Sequence, residues 1–350
     1  MNFINKKLKE FRNINGLLID VRSPEEYYKG HMPNSINIPL FNNEERAIVG
    51  KQYKYSGREI AVKEGFKIID KKIDVLIQDF FSVIDEYLKN NERKIPSEQI
   101  KMRIYCARGG MRSQSISWLL EKFNFNCITL DGGYKLYRNW VLRNFTEKQN
   151  IIVIGGKTGV GKTKILHKLE ALNYQILDFE SLANHRGSSF GGLGMLKQPT
   201  NEQYENMIAE KLINYNSNNI TFVEAESPNI GKNRIPFELY EQMKVSPRIE
   251  IKRAEKIRIN ELINTYSSFS KDDLKESVLR ISKRLGPQRT KSALDSIELE
   301  NWEGVCKSVL EYYDKCYEYE LKNKLNVKIL KMDFKNDDEI IKQIISSLKK

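Results

Sequence analysis

The stretch IIVIGGKTGVGKTKILHKL, residues 151–169, determines the fold of the second half of this 350-residue chain. Four apolar residues typical of a buried strand precede a glycine-rich turn, and an amphipathic helix follows the turn. The turn matches the pattern G-x-x-x-x-G-K-[ST], in which backbone N–H groups and the start of the helix bind phosphate oxygens. The phosphate-binding residues predicted from this match are Gly156, Lys157, Thr158, Gly159, Gly161, Lys162 and Thr163.

Acidic residues follow two other apolar runs, ITFVEAES and QILDFES. Glu224 and Glu226 alternate along the first run and therefore share one face of a strand. Together with Asp178 and Glu180 from the second run, they are candidates to hold Mg²⁺ or to orient substrate. The alternative is that these are ordinary exposed carboxylates at strand ends. The loop itself does not specify which phosphate ester binds or whether that ester is hydrolysed.

A polar cluster, ANHRGSSFGG, follows the second of these runs. We predict that it forms a loop near the phosphate site. His185 is a candidate acid, base or tRNA contact, with loop stabilisation as the alternative. Arg186 is the better candidate for phosphate because its guanidinium is a planar fork. Ser188 is a further candidate contact.

Strand-like and helix-like segments alternate along the chain, which predicts an α/β protein with parallel sheets. The polar segment NWVLRNFTEKQN marks a boundary between residues 1–146 and a P-loop NTPase-like domain, residues 147–350, with a helical, basic C-terminal part. The predicted strands cover 17–21, 35–40, 101–106, 151–154, 175–178, 220–224 and 326–334, and residues 126–133 are predicted to form a strand followed by a turn. The predicted helices cover 73–91 and 112–123, and residues 252–320 are mostly helical.

The stretch YCARGGMRSQS, residues 105–115, places a cysteine between a strand and the next helix. Backbone N–H groups, the helix N-terminus and the side chains of Arg108 and Arg112 could surround an anion there. The same positive field would stabilise the thiolate of Cys106, which predicts a nucleophile. The alternative is a buried structural cysteine with both arginines in solvent.

Composition restricts the class of protein further. The net charge of +12 favours anionic partners such as nucleic acid or phosphorylated metabolites, although genome composition is an alternative cause. The chain has no apolar run of about 18 residues, which argues against a membrane span. The four cysteines show no CxxC pairing, so neither a zinc site nor a disulfide framework is predicted. We therefore expect a cytoplasmic protein.

The N-terminal half resembles a rhodanese domain. The segments LLIDVRSPEEYYKGHMPNSINIPL and YCARGGMRS occur in the order found in that family, whose cysteine carries a persulfide. The Cys-x5-Arg loop is one residue longer than the common sulfurtransferase loop and has the length found in one class of phosphatases. Those enzymes have a histidine before the cysteine, where this chain has Tyr105, so a phosphatase remains an alternative. The resemblance implies a structural role for His31.

The rhodanese-like domain is followed by a P-loop domain, and the chain also contains the segments LDFESLANHRGSSFG, VEAESPNIG and YYDKCYEYEL. In this combination it resembles the tRNA 2-selenouridine synthase family over nearly its whole length. The resemblance implies geranylation of the wobble 2-thiouridine of tRNA from geranyl diphosphate, then replacement of the geranylthio group by selenium from selenophosphate. It also implies a selenophosphate-producing enzyme as a partner and no tightly bound cofactor; whether Mg²⁺ is required stays open at this point. We hypothesise that Cys106 relays selenium as a perselenide, with Arg108 and Arg112 on the oxyanion. Candidate tRNA contacts are Arg253, Arg258, Arg284 and Arg289.

Two other functions compete with this one. An ATP-dependent sulfurtransferase or kinase would use the phosphate loop in the usual way, and a non-catalytic RNA-binding protein would carry decayed sites. The intact cysteine loop and the intact phosphate loop argue against the latter.

Overall fold

The computed structural model describes residues 4–90, 100–322, 329–333 and 336–348. The chain divides into two compact units, Met1–Arg143 and Asn144–Lys350, a few residues before the boundary placed at residue 147 from the sequence. Each unit contains a five-stranded parallel sheet with helices in the connections, which confirms the predicted α/β class.

The sheet of the N-terminal unit has the strand order β1-β5-β4-β2-β3. Its central strand leads directly into the cysteine loop. The strands are β1 (Ile4–Lys6), β2 (Leu17–Asp20), β3 (Ile36–Asn37), β4 (Lys101–Tyr105) and β5 (Asn126–Leu130). The helices are α1 (Leu8–Asn13), α2 (Pro24–Lys29), α3 (Asn43–Tyr55), α4 (Arg58–Asp70), α5 (Ile73–Asn90), α6 (Met111–Glu121) and α7 (Gly133–Asn144).

The apolar stripe predicted for the 73–91 helix faces the core of this unit. Leu76, Phe80 and Ile84 of α5 are buried in one cluster with the sheet strands. Residue 91, the predicted last residue of the helix, lies outside the described residues. The helix thus covers one face of the sheet, as its 3.6-residue period predicts.

The strand predicted at 35–40 is much shorter in the structure, where only Ile36 and Asn37 pair with β2. Pro39 has no N–H to donate to a neighbouring strand and interrupts the pairing there. The chain still follows β2, because Ile38 N–H donates to the carbonyl of Asp20 at 3.0 Å.

The sheet of the C-terminal unit has the strand order β12-β11-β6-β8-β7, with the strand before the phosphate loop in its centre. A short antiparallel pair, β9 and β10, lies apart from it. The strands are β6 (Ile151–Gly156), β7 (Gln175–Leu177), β8 (Thr221–Glu224), β9 (Asn229–Ile230), β10 (Asn233–Arg234), β11 (Arg248–Lys252) and β12 (Ile329–Asp333). Strand β12 falls within the strand predicted at 326–334, and the other residues of that prediction lie outside the described ranges.

The helices of this unit form two groups. Helices α8 and α17 pack on the sheet, whereas α13, α15 and α16 enclose a separate apolar cluster. The helices are α8 (Lys162–Ala171), α9 (Phe179–Ala183), α10 (Asn201–Ile213), α11 (Phe237–Val245), α12 (Glu255–Tyr266), α13 (Lys271–Arg280), α14 (Ser282–Leu285), α15 (Pro287–Glu298), α16 (Trp302–Lys322) and α17 (Asp337–Leu348). The mostly helical character predicted for 252–320 is therefore present. Within the described ranges, no helix has the length and apolarity needed to span a membrane.

Strand β11 has no counterpart in the sequence prediction. Its segment RIEIK alternates charged and apolar residues, a pattern typical of a strand with one face in water. Here the charged face is buried, since Arg248 and Glu250 are 2% and 4% exposed and form an ion pair at 2.9 Å. A Cβ on Gly155 of β6 would lie 2.3 Å from Glu250 Oε2, so this glycine leaves room for the pair.

Candidate active sites

The phosphate loop joins β6 to α8. Gly159 and Gly161 have φ values of +83° and +78°, in the left-handed region that favours glycine. A Cβ on Gly159 would approach the carbonyl oxygen of Arg258 to 2.7 Å, so the loop lies close against the start of α12. Lys162 Nζ lies 3.3 Å from the carbonyl oxygen of Gly156 and thus folds back over the loop. This is the arrangement of a phosphate cradle, with the lysine as its point charge.

Helix α16 also contacts this loop. The hydroxyl of Tyr317 accepts hydrogen bonds from the backbone N–H of Gly156 at 2.5 Å and from Arg248 at 2.6 Å, and donates to Glu250. Arg258 is buried, donates to the carbonyl of Thr158 at 2.8 Å and pairs with Asp314 of α16. The loop is therefore held in position by α16 as well as by its own glycines.

Three of the four predicted acidic residues meet in one cluster. Carboxylate oxygens of Glu180, Glu224 and Glu226 lie within 4.8 Å of one another. Glu224 is 1% exposed, and its Oε1 has no hydrogen-bond partner among the described residues. Its carboxylate is also hydrogen-bonded to Thr163, and it lies close enough to Lys162 for the positive charge of the lysine to lower its pKa. The cluster therefore belongs to the phosphate site.

Burial and mutual repulsion determine the charge of this cluster. Burial, with the negative charges of Glu226 and Glu224, raises the pKa of Glu180 to about 9. Burial also raises the pKa of Glu224, while the charge of Lys162 acts in the opposite direction. The raised pKa of Glu180 means that the cluster keeps a proton at neutral pH unless a cation replaces it.

Asp178 has a different role from the other three. Its side chain caps α9 by accepting from the backbone N–H of Ser181 at 2.8 Å, and its other oxygen lies 3.0 Å from Nε2 of His167. These contacts fix the turn that places Glu180 in the cluster. Asp178 is therefore a structural cap beside the acidic cluster.

The predicted loop after α9 does border the acidic cluster. A Cβ on Gly187 would meet Glu226 Oε2 at 2.8 Å and Glu180 Oε1 at 3.0 Å, so the loop backbone lies directly against these carboxylates. Arg186 donates to the carbonyl of Leu193 at 2.8 Å, which places its guanidinium within the loop. Ser188 accepts from the N–H of Phe190 at 3.2 Å and is also hydrogen-bonded to Tyr266.

The side chain of His185 is half-buried. Burial, with the charge of Arg280, lowers its pKa, and its Nδ1 has no hydrogen-bond partner among the described residues. Gly191 and Gly192 lie against the imidazole ring. The histidine is therefore neutral at physiological pH and packs within the loop.

The cysteine loop runs from β4 to α6. Cys106 is 3% exposed, and its Sγ lies 3.3 Å from Ser113 Oγ. The turn after β5 supports the loop, because Tyr134 N–H donates to the carbonyl of Cys106 at 2.9 Å. A Cβ on Gly133 would lie 2.3 Å from that carbonyl oxygen and 2.4 Å from the nitrogen of Gly109. The thiol thus lies at the base of a tight, well-supported loop.

The two arginines of this loop occupy different environments. Arg108 is exposed. Arg112 instead binds Glu26 of α2 through two hydrogen bonds, 2.7 and 3.3 Å long. Burial acts to raise the pKa of Glu26, but the hydrogen bond and charge of Arg112, with smaller effects from Ser23 and Arg46, lower it to about 2. The guanidinium of Arg112 is therefore engaged by the carboxylate of Glu26.

Tyr105, which distinguishes this loop from the phosphatase pattern, and His31, which follows α2, both make structural contacts. Tyr105 is fully buried, and its hydroxyl bonds Ser35 at 2.9 Å and the N–H of Met32 at 3.1 Å. His31 stacks on Tyr27 with the ring centroids 3.8 Å apart. The position preceding the cysteine thus anchors the 31–35 segment to the sheet.

The structure does not support tRNA contacts for two of the four predicted arginines. The side chains of Arg253 and Arg258 are only 4% and 5% exposed and form ion pairs with Asp337 and Asp314. The two buried pairs join neighbouring parts of this unit, and both guanidinium charges are already neutralised by carboxylates. Arg289 pairs with Glu311 at the surface, and Arg284 is exposed and bonded to Tyr312.

Comparison with known proteins accounts for both units. Residues 5–139 match the rhodanese-like domain, and residues 149–348 match the tRNA 2-selenouridine synthase AAA domain. A tRNA 2-selenouridine synthase from Sulfurovum sp. (strain NBC37-1) is 34% identical over 89% of this chain and 91% of its own length. The chain belongs to the tRNA 2-selenouridine synthase family.

Other members of the tRNA 2-selenouridine synthase family align over similar lengths. The protein of that name from Pseudomonas syringae pv. syringae (strain B728a) is 31% identical over 88% of this chain and 89% of its own. The one from Hydrogenovibrio crunogenus (strain DSM 25203 / XCL-2) is 28% identical over 94% of both chains. The cysteine loop and the phosphate loop thus lie in the rhodanese-like domain and in the AAA domain, respectively.

Several residues at these sites were not predicted from the sequence. Glu26 follows Ser23 at the S-x-x-E spacing of a capping box, a signal that predicts a helix start but not the contact with Arg112. The importance of Gly133 and Gly187 could not be predicted, because the sequence does not show that Gly133 packs against the cysteine loop or that Gly187 packs against the acidic cluster. Tyr317 lies 161 residues from its partner Gly156, beyond the reach of any local pattern.

Proposed function

We propose that this chain modifies the wobble 2-thiouridine of tRNA in two steps, geranylation from geranyl diphosphate and then selenation from selenophosphate. The observation that supports the proposal is the presence, in one chain of this family, of two loops with different chemistry, the cysteine loop and the phosphate loop. One places a buried thiol beside the start of a helix. The other places Lys162 and Thr163 next to a buried carboxylate cluster.

In the first step, the sulfur of 2-thiouridine attacks C1 of the geranyl group. The carbon–sulfur bond forms, the carbon–oxygen bond to diphosphate breaks, and diphosphate leaves with the electron pair. The uridine loses its N3 proton. Lys162 and the loop N–H groups would stabilise the charge that develops on the leaving diphosphate, an effect often worth several kcal/mol.

The residues beside the loop fit Mg²⁺. Oxygen ligands suit this ion, and the unpartnered Oε1 of buried Glu224 offers a ligand atom directed into the cluster. Glu180, Glu224 and Glu226 would hold it, and Thr163 would orient Glu224. When bound, the ion neutralises the carboxylates and the phosphate oxygens together. The chain's own contribution is to position the diphosphate through Lys162 and to exclude water around Glu224.

In the second step, electron counting favours a route other than a perselenide on Cys106. Selenium in selenophosphate is already at the selenide level, so a sulfur–selenium bond would require an oxidant. We instead propose that the Cys106 thiolate attacks phosphorus, forming a sulfur–phosphorus bond while selenide leaves with the electron pair. Selenide then adds at C2 of the geranylated uridine, and geranylthiolate leaves and takes up a proton. Water hydrolyses the sulfur–phosphorus bond and releases phosphate.

A reconstitution tests this function. Purified protein is incubated with thiolated tRNA and geranyl diphosphate, then with selenophosphate, and the nucleoside masses are read after each addition. We expect geranylated 2-thiouridine first and 2-selenouridine second, with selenophosphate supplied in the cell by an enzyme that produces it. Strong ATP turnover without a change in nucleoside mass would favour the ATP-dependent sulfurtransferase or kinase instead.

A further inference from the structure

The C-terminal unit contains an apolar cavity that begins at the phosphate loop. Its volume is about 70 Å³, and Thr158 of the phosphate loop and Ser188 of the neighbouring loop contribute to its wall. The rest of the lining is mostly apolar and comes from Phe190, from α12 and the residue after it, and from α13 and α16. A ligand that fills this cavity has an apolar chain and a head group able to bind beside a phosphate cradle.

The cavity extends along one face of helix α16. Trp302, Val305, Val309, Leu310 and Tyr313 line it at helical spacing, so one face of α16 forms a continuous wall. From the first to the last of these residues the helix rises about 16 Å at 1.5 Å per residue.

The C-terminal end of this wall is the end near the phosphate loop. Asp314, the residue after Tyr313, pairs with Arg258, which in turn bonds the carbonyl of Thr158. The hydroxyl of Tyr313 also contacts Ser189 of the loop that borders the acidic cluster, at 3.0 Å. Trp302 therefore lies at the end of the wall that is remote from the phosphate loop.

We infer that this cavity receives the isoprenoid chain of an allylic diphosphate, and that Trp302 limits the length of that chain. The inference rests on the proposed geranylation. The diphosphate occupies the Gly156–Thr163 loop, C1 lies at the mouth near Thr158, and the hydrocarbon extends along α16 toward Trp302. Burial of the chain also keeps water from the allylic carbon, where it would compete with the tRNA sulfur.

Filling the cavity tests its role. Val309→Phe adds a ring to the wall, and we expect the KM for geranyl diphosphate to rise about tenfold or more, since a single methylene in such a pocket already changes discrimination tenfold. Binding of inorganic diphosphate, measured by calorimetry, is expected to stay unchanged because the phosphate loop is untouched. The matched control is Val245→Phe, at a residue that is 77% exposed. An unchanged KM in a folded Val309→Phe protein would overturn the inference.

Enlarging the cavity gives a second test that does not depend on tolerance of a larger side chain. Trp302→Ala is expected to increase transfer from farnesyl diphosphate relative to geranyl diphosphate by about tenfold. An unaltered ratio of the two products would count against the role of Trp302. If wild-type protein transfers neither chain, the proposed function fails. The cavity is then judged by whether geranyl thiolodiphosphate binds more tightly than inorganic diphosphate and loses that advantage in Val309→Phe.

Discussion

At the scale of single residues, Cys106 provides the sharpest test of the two-step chemistry. Cys106→Ser preserves the volume of the side chain but removes the strong nucleophile, so we expect selenation to fall about 10³-fold or more. Geranylation of thiolated tRNA is expected to change little, because the phosphate loop lies in the other unit. Nucleoside mass spectrometry after each step measures both.

Cys127→Ser is the matched control for this variant. Cys127 is also buried in the N-terminal unit, but burial, with the charge of Glu121, raises the pKa of its thiol to about 12. A thiol of this kind is a core residue and not a nucleophile. Equal loss of both steps in Cys106→Ser would contradict a division of labour between the loops.

The Glu26–Arg112 pair predicts a pH dependence of stability. The pKa of Glu26 is lowered from 4.5 to about 2 in the folded chain, so the pair stabilises the fold above pH 4.5 and this contribution is lost as the pH falls toward 2. Glu26→Gln should therefore reduce the free energy of unfolding at pH 7 by about 1–2 kcal/mol, as expected for a hydrogen bond to a charged group. Urea unfolding at pH 7 and at pH 3 measures the difference, which should shrink at the lower pH.

The neighbouring residue offers the control for this prediction. Glu25 is exposed and on the same helix, so Glu25→Gln should leave stability nearly unchanged at both pH values. The same gap between Glu26→Gln and wild type at pH 3 and pH 7 would show that the carboxylate of Glu26 does not act through its charge.

At the scale of single elements, α16 both walls the cavity and supports the phosphate loop. Tyr317→Phe removes the hydroxyl that joins Gly156, Arg248 and Glu250, leaving buried polar groups without a partner. We expect a loss of about 1–3 kcal/mol of stability and weaker binding of inorganic diphosphate. Thermal unfolding and calorimetry measure the two effects. Tyr319→Phe, on the same helix but 72% exposed, should behave like wild type in both measurements.

Elements also show how far the sequence could predict this fold. The strand, loop and helix around the phosphate site follow from local signals, because glycines, a lysine and an apolar run occur close together in the chain. Strand β11 does not, since its charged face is buried by an ion pair that no local pattern reveals. That Glu180, Glu224 and Glu226 come close together could be anticipated, because they lie at or just after the ends of neighbouring strands that end at the same edge of the sheet. The partner of Arg112 could not be anticipated in this way. The burial of β11 and the partner of Arg112 could not be predicted because both depend on contacts between residues that are distant in the sequence or buried by the fold.

At the scale of the whole molecule, the net charge of +12 predicts how binding of tRNA responds to salt. Each phosphate neutralised by a cation releases counterions, so the logarithm of the affinity should fall linearly with the logarithm of salt concentration. Filter binding between about 50 and 200 mM salt would reveal a loss of about tenfold or more if several phosphates are contacted. A flat response would exclude a broad electrostatic surface for tRNA, although the chain is basic.

The division into two units predicts that Lys162→Ala and Cys106→Ser have opposite defects. Lys162 is the point charge of the phosphate loop, so Lys162→Ala should slow geranylation about 10²-fold or more while selenation of tRNA geranylated beforehand continues. Lys164→Ala is the matched control, because Lys164 lies on the same helix, is 56% exposed and pairs with Glu261. Selenation rates on geranylated tRNA, compared among the three proteins, give the readout. If Lys162→Ala also stops selenation of that substrate, the phosphate loop serves both steps, and the cysteine loop alone is not sufficient for the second.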